Sequence, residues 1–221
     1  MSSALLIAVI GAESTGKSTL TQDLTPALQA ATGLRCALVS EYLREWCATQ
    51  GRTPRVEEQA QIAAEQTRRI DEAAQENDIV ICDTSALMTA IYSQYLFGDN
   101  SLLETGRAFH RRCALTLLTA LDLPWVADGL QRDGAHVRKP IDSALRAVLL
   151  SAGLNWAVVA GSGTARLEAA LNAMTPLLKR QQPPRQGLFS RLTERQDALP
   201  EWRWACENCD VPECEHLAFK R

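Results

Sequence analysis

At 221 residues, with 46% hydrophobic and 22% charged side chains, the chain has material for one α/β domain with a full core plus a small appendage. A formal net charge of -3 carries no polycationic signature, which argues against a nucleic-acid partner. No apolar run approaches the roughly 20 residues of a membrane span and no basic leader precedes the first apolar stretch, so the expectation is a cytoplasmic protein with no membrane partner and its oligomeric state left open.

"ALLIAVIG" reads as a buried first strand, followed by a glycine loop and a helix from about Lys17, whose leucines at 20, 24 and 28 share one face. Pro26 is expected to kink or split that helix. "RCALVS" is a second strand, and "EYLREWCATQG" a helix ending near Gly51. Residues 54–76 form the clearest amphipathic pattern, with Val56, Ala60, Ala63, Thr67, Ile70 and Ala74 on its apolar face. "DIVICD" is a third strand, apolar as a parallel strand covered on both faces should be. Helical patterns follow in "SALMTAIYSQYLFG" and "LLETGRAFHRR", then the strand "LTLLTAL" and a long polar connection, "DLPWVADGLQRDGAHVRKP". "IDSALRAVLLSAG" is a helix, "NWAVVAG" the fifth strand, and "GTARLEAALNAMTPLLKR" the last long helix. Alternating strands and helices imply a three-layer α/β fold with a five-stranded parallel sheet. The expected organisation is a domain over 1–181, a linker over 182–188 and a Cys-rich appendage over 189–221.

Between the first strand and helix stands Gly11-x-x-x-x-Gly16-Lys17-Ser18, the spacing and context of a phosphate-binding loop. Glycines let successive backbone N–H groups face a phosphate at the positive end of the following helix. The residues expected to hold ATP are Gly11, Glu13, Ser14, Thr15, Gly16, Lys17, Ser18 and Thr19, with Lys17 on the terminal phosphates and Ser18 on Mg²⁺. Asp83 ends the third strand at the carboxyl edge of the sheet, where ligands bind in such folds. It would hold the magnesium or grip acceptor hydroxyls; the structural alternative is an N-cap for the helix at Ser85.

No N-K-x-D guanine motif occurs, which weighs against a switch GTPase, and the chain is short for a motor ATPase. A small-molecule kinase needs an acceptor pocket, a carboxylate near the acceptor hydroxyl and a basic lid. Glu41 follows the second strand and suits the carboxylate role, with favourable first-turn helix charge as its structural alternative. Residues 129–139, with Arg132, Arg138 and Lys139, are the lid candidate, and Arg132 the candidate for neutralising the transferring phosphoryl group. His136 receives no role.

"GAESTGKSTL", "EYLRE", "CDTSALMTAIYSQYLFG", "LPWVADGLQRD" and "WAVVAGSGTARL", in this order, resemble the ribosylnicotinamide kinase domain of NadR-type proteins, from Ile7 to about Arg180. The glycine loop is generic; Y-x-x-Y-x-F-G and P-W-V-x-D-G are more particular. The resemblance implies a nucleoside-kinase-like P-loop fold and phosphorylation of the ribose 5′-hydroxyl of nicotinamide riboside by ATP, giving nicotinamide mononucleotide. It places Glu41 and Asp83 near the acceptor and metal, and Trp125 and Asp128 in the substrate pocket. A pyridinium acceptor also suits an aromatic face such as Trp125, Tyr92 or Tyr95. NadR-type proteins usually carry an adenylyltransferase domain before this one; here Met1 lies close to the first strand, and a standalone kinase is expected. Alternatives are a kinase for another nucleoside or small alcohol, and a nucleotide-binding regulatory ATPase.

Cys36, Cys47, Cys82 and Cys113 are scattered and expected to be small buried thiols, as in a reducing compartment. Cys206, Cys209, Cys214 and His216 satisfy the count and type of a structural zinc site. Free thiols, a redox pair and an extension without fixed structure compete with that reading.

Overall fold

The computed structural model describes residues 4–127 and 134–181. Among them, five strands, β1 (Leu5–Ile10), β2 (Cys36–Val39), β3 (Ile79–Asp83), β4 (Leu115–Thr119) and β5 (Trp156–Val159), pair in parallel in the order β2-β3-β1-β4-β5. The α-helices that connect and cover them are α1 (Lys17–Thr32), α2 (Tyr42–Gln50), α3 (Gln59–Glu76), α4 (Ala86–Phe97), α5 (Leu103–Arg111), α6 (Arg138–Ser151) and α7 (Gly163–Gln181). This is the three-layer α/β arrangement that the alternation of apolar runs implies.

Strands as apolar as β1 and β3 have no polar face to give to water, so both faces are covered. Leu6, Ala8 and Ile10 of β1 pack with Ile70, Leu87, Ile91, Phe109, Ile141 and Leu145 on one side. Ile7 and Val9 pack with Leu20, Leu24, Leu28, Ala170 and Met174 on the other. The first layer is therefore built by α3 to α6 and the second by α1 and α7. Strand register brings two candidate site segments together: Val9 lies opposite Asp83 across the β1–β3 pair, so the loop leaving β1 and the last residue of β3 emerge side by side.

Three local readings need correction. Pro26 does not divide α1, which runs unbroken through it. The carbonyl it leaves without a partner belongs to Gln22, and both residues are exposed, so water satisfies it. Pro176 is carried within α7 in the same way, with Asn172 exposed four residues before it.

The amphipathic segment 54–76 is not one helix. A 3₁₀ turn over Val56–Glu58 precedes α3, which begins only at Gln59. Its buried stripe is Gln59, Ile62, Ala63, Gln66 and Ile70, with Val56 and Ala60 exposed. Two glutamines thus stand where residue type alone would put apolar side chains. Gln66 is buried because its Oε1 accepts from Tyr42 N (2.7 Å) and its Nε2 donates to Ser40 O (3.3 Å), tying α3 to the turn after β2. The outward face is charged as expected, with Glu65 gripped by Arg68 and Arg69.

Finally, Arg138 and Lys139 are not loop residues: they open α6, and Arg138 is 8% exposed with Nη2 donating to Leu123 O at 2.8 Å. Cys47, Cys82 and Cys113 are buried and Cys36 half-buried, all as free thiols. Gly106 lets α5 meet α4, since a Cβ there would lie 2.8 Å from Leu87 Cα. Among the described residues no helix is long and apolar enough to cross a membrane.

Candidate active site

The loop after β1 is held open by its own hydroxyls and by residues distant in sequence. Thr15 is buried; its Oγ1 donates to Ala12 O (2.7 Å) and lies 2.7 Å from Thr119 Oγ1 at the end of β4. Gly11 has φ +152, and a Cβ there would lie 2.1 Å from Thr119 Oγ1, so no side chain fits. Gly16, in the left-handed region, is the N-cap residue of α1; no side chain caps the helix and no acidic residue occupies its first turn. With no side-chain cap and no first-turn carboxylate, the positive end of α1 therefore suits an anion. Lys17 Nζ donates to Ala12 O at 3.1 Å, folded back over the loop it would leave to meet a phosphate.

Across β1, Asp83 is 4% exposed, and its Oδ1 has no hydrogen-bond partner among the described residues. Burial raises its pKa above the ordinary carboxylate value, and Glu41 adds to the rise; the Ser18 hydroxyl beside it, then Lys17 and Arg44, oppose it. An orphaned carboxylate oxygen next to a serine hydroxyl fits a hard divalent cation that completes its shell with water and phosphate oxygens. No cluster of three or more His, Cys, Asp or Glu able to hold a metal exists among the described residues, so such an ion would depend on the nucleotide for ligands. The N-cap alternative for Asp83 fails, because Ser85 caps α4 by accepting from Leu87 N at 3.3 Å.

A cavity of about 560 Å³ opens beside the loop, within the size range of small-molecule sites. Glu13, Ser14 and Lys17 form its phosphate side; Glu41 and Arg44 come from the start of α2; Met88, Tyr92 and Phe97 line it from α4. A smaller polar cavity next to it is lined by Ser18, Glu41, Arg44 and Asp83. Glu41 thus borders both spaces. As the N-cap residue of α2 its side chain makes no capping bond, and Oε2 accepts from Arg44 Nε at 2.9 Å instead.

Seven of the expected site residues therefore converge: Glu13, Ser14, Lys17, Glu41 and Tyr92 on the larger cavity, Ser18 and Asp83 on the smaller. Thr19 lies exposed in the first turn of α1. Trp125 is not among the residues lining the larger cavity, but its Nε1 donates to Oε1 of Glu13, which does line it, at 2.8 Å. Glu13 Oε1 also accepts from Gly134 N (2.9 Å), and Ser14 Oγ from Val126 N (2.8 Å), so the phosphate loop fastens both ends of the connection between β4 and α6. Tyr95 is half-exposed and outside the cavity. Asp128, Arg132, Cys206, Cys209, Cys214 and His216 lie outside the described residues.

Two residues have no counterpart among the candidates that the sequence suggests. Arg166 of α7 is 4% exposed; it donates through Nη1 to Thr15 O and through Nη2 to Asp122 Oδ1, while Asp122 Oδ2 accepts from Gly161 N. It fastens the phosphate loop to the ends of β4 and β5. Its only trace in the sequence is an arginine on an apolar helical stripe. Thr84, directly after Asp83, lines the larger cavity at φ +70, which no local pattern announces for a threonine.

Known structures share this fold. A NadR protein in complex with NR superposes with a TM-score of 0.65 at 20% identity, covering 83% of this chain and 54% of that one. A NadR protein in complex with NAD and AMP-PNP gives 0.61 at 19% identity, covering 78% and 49%. Thymidylate kinase from Ehrlichia chaffeensis gives 0.56 at 16% identity, covering 80% of this chain and all of that one. The fold is thus that of P-loop nucleoside and nucleotide kinases, and the chain spans about half the length of the NadR chains. No curated protein matches the sequence. Residues 6–166, from the strand that carries the phosphate loop to the arginine that fastens it, match the model described as an AAA domain; over well more than half of its length, the chain belongs to the AAA domain family.

Proposed function

We propose that the protein is a cytoplasmic ATP- and Mg²⁺-dependent nucleoside kinase that phosphorylates the ribose 5′-hydroxyl of nicotinamide riboside to give nicotinamide mononucleotide, a step of NAD salvage. The observation that carries this reading is the cavity of about 560 Å³ that opens directly on Lys17 and Glu41, with room for a nucleoside next to the terminal phosphate position. Tyr92 offers an aromatic face, and Glu13 and Glu41 offer negative charge, to a cationic pyridinium. The NadR protein solved with NR shares the fold, which supports the choice of acceptor. The kinase unit is taken as 1–181, followed by a linker over 182–188 and an appendage over 189–221.

In the reaction, the acceptor oxygen attacks the γ-phosphorus in line, the bond to the β,γ-bridging oxygen breaks, and ADP leaves. Glu41, bordering both cavities, orients the 5′-hydroxyl and takes its proton as the new bond forms. Lys17 and the α1 N-terminus hold the phosphates and stabilise the charge that develops on them. Ser18 and Asp83 would hold the magnesium, which when bound neutralises the β- and γ-phosphate oxygens. The AAA domain match supports a second reading, a regulatory ATPase.

ADP release with Mg²⁺–ATP and a panel of nucleosides separates the two. Riboside-dependent turnover that falls by at least about 100-fold in Lys17→Ala is the expected result. Slow hydrolysis indifferent to every nucleoside would overturn the kinase reading in favour of the regulator.

A further inference from the structure

Thr84 stands one residue beyond Asp83 and lines the larger cavity together with Lys17, Glu41 and Met88. Its φ of +70 is an outlier for a β-branched residue, and glycine would take this conformation without strain. The backbone is held there by Thr84 N donating to Val9 O at 3.0 Å, while the next residue, Ser85, caps α4. The residue as a whole is 4% exposed, but its hydroxyl is not one of the fully buried polar atoms left without a partner; no side-chain hydrogen bond to the described residues holds it, and the oxygen keeps access to the cavity that the residue lines. Neither the turn nor the packing thus calls for a hydroxyl at this position, and the cavity is what it borders. Residues held in sparsely populated backbone conformations gather at ligand sites.

We propose that the Thr84 hydroxyl is a binding group for the acceptor: it hydrogen-bonds an oxygen of the ribosyl moiety and fixes the sugar between Glu41 and the phosphate loop. The assignment rests on the kinase reading above and adds a residue that decides whether a ribosyl group is held in register for transfer. An acceptor without a hydroxyl at that point forfeits the bond.

The test compares Thr84→Val, which keeps the shape and loses the hydroxyl, with Thr84→Ser, which does the reverse. Thermal unfolding is followed alone, with Mg²⁺–ATP and with nicotinamide riboside, alongside steady-state turnover. Thr84→Val should melt within about 2 °C of the parent, because no internal hydrogen bond is lost. It should keep the ATP-induced shift, lose the riboside-induced shift and raise the riboside KM about tenfold, whereas Thr84→Ser keeps parental behaviour. A valine variant that responds to riboside like the parent overturns the assignment and leaves the kinase reading standing. A valine variant that melts early and loses the ATP shift as well shows a structural role, and also overturns it. A parent that responds to ATP but to no nucleoside overturns the kinase reading and the role of Thr84 together.

Discussion

Asp83 sets stability against function within one side chain. Burial raises its folded-state pKa, so the ionised form is penalised on folding. For a carboxyl shifted upward, its contribution to stability is present at low pH and is lost as pH rises through the folded value; at neutral pH the charge weakens the fold. Asp83→Asn should therefore raise Tm at pH 7 in calorimetry while turnover falls by at least about 100-fold. A lower Tm with turnover retained would contradict both halves of that expectation. The position of Asp83 at the carboxyl edge of the sheet was legible in the sequence because the residue ends an apolar run. Thr84 beside it was not, because a positive φ is imposed by what surrounds the turn. For Trp125 the sequence could not say what its indole meets, since an indole after a strand suits a cavity wall or a buttress equally well; the structure shows its N–H on the Glu13 carboxylate.

Helix interruptions show where periodicity stops being informative. Sequence alone puts a break in α1 at Pro26, but the orphaned Gln22 carbonyl faces water, so the helix continues. Pro26→Ala restores that hydrogen bond. A helix-interior proline is worse than alanine by about 3 kcal/mol, and roughly 1 kcal/mol of that returns through the freer unfolded chain. The variant should gain about 1–2 kcal/mol, some 4 °C in Tm, with ATP affinity unchanged because the site lies at the opposite end of α1. Equal melting of the two proteins would mean that α1 is already distorted enough to absorb the proline. The late start of α3 has a different cause. Val56 and Ala60 fit an apolar stripe by spacing alone, whereas the true stripe includes Gln59 and Gln66, and Gln66 is buried by bonds to Tyr42 and Ser40 on another element. The parallel sheet and the placement of the phosphate loop were legible because both follow from apolar runs and glycine spacing; side-chain bonds between elements leave no such period.

At the scale of the molecule, one buried network joins two helices of the layer that borders the larger cavity to the sheet. His110 of α5 lies 2.7 Å from Ser85 Oγ, the cap of α4, and 2.9 Å from Thr116 Oγ1 in β4. Both ring nitrogens are engaged and the ring is almost wholly buried, so desolvation lowers its pKa to about 4, from 6.5. The unfolded chain therefore binds a proton that the folded chain refuses, and stability falls as pH drops from 6.5 towards 4. The full effect is about 3 kcal/mol, and between pH 7 and pH 5.5 it is about 1 kcal/mol, or roughly 3 °C in Tm. The surface pairs act lower: Arg52 holds Glu58 at about 2, and Arg68 with Arg69 holds Glu65 at about 2, from 4.5, so their contribution is lost between 4.5 and 2. Acid unfolding should thus proceed in two stages. His110→Gln should start less stable at pH 7, since glutamine cannot reach both hydroxyls, and its Tm should no longer fall between pH 6.5 and 4.5, leaving only the carboxylate stage as a loss. If the variant still loses stability across that upper window, the first stage belongs to other groups, and the joint between α4, α5 and β4 is indifferent to protons.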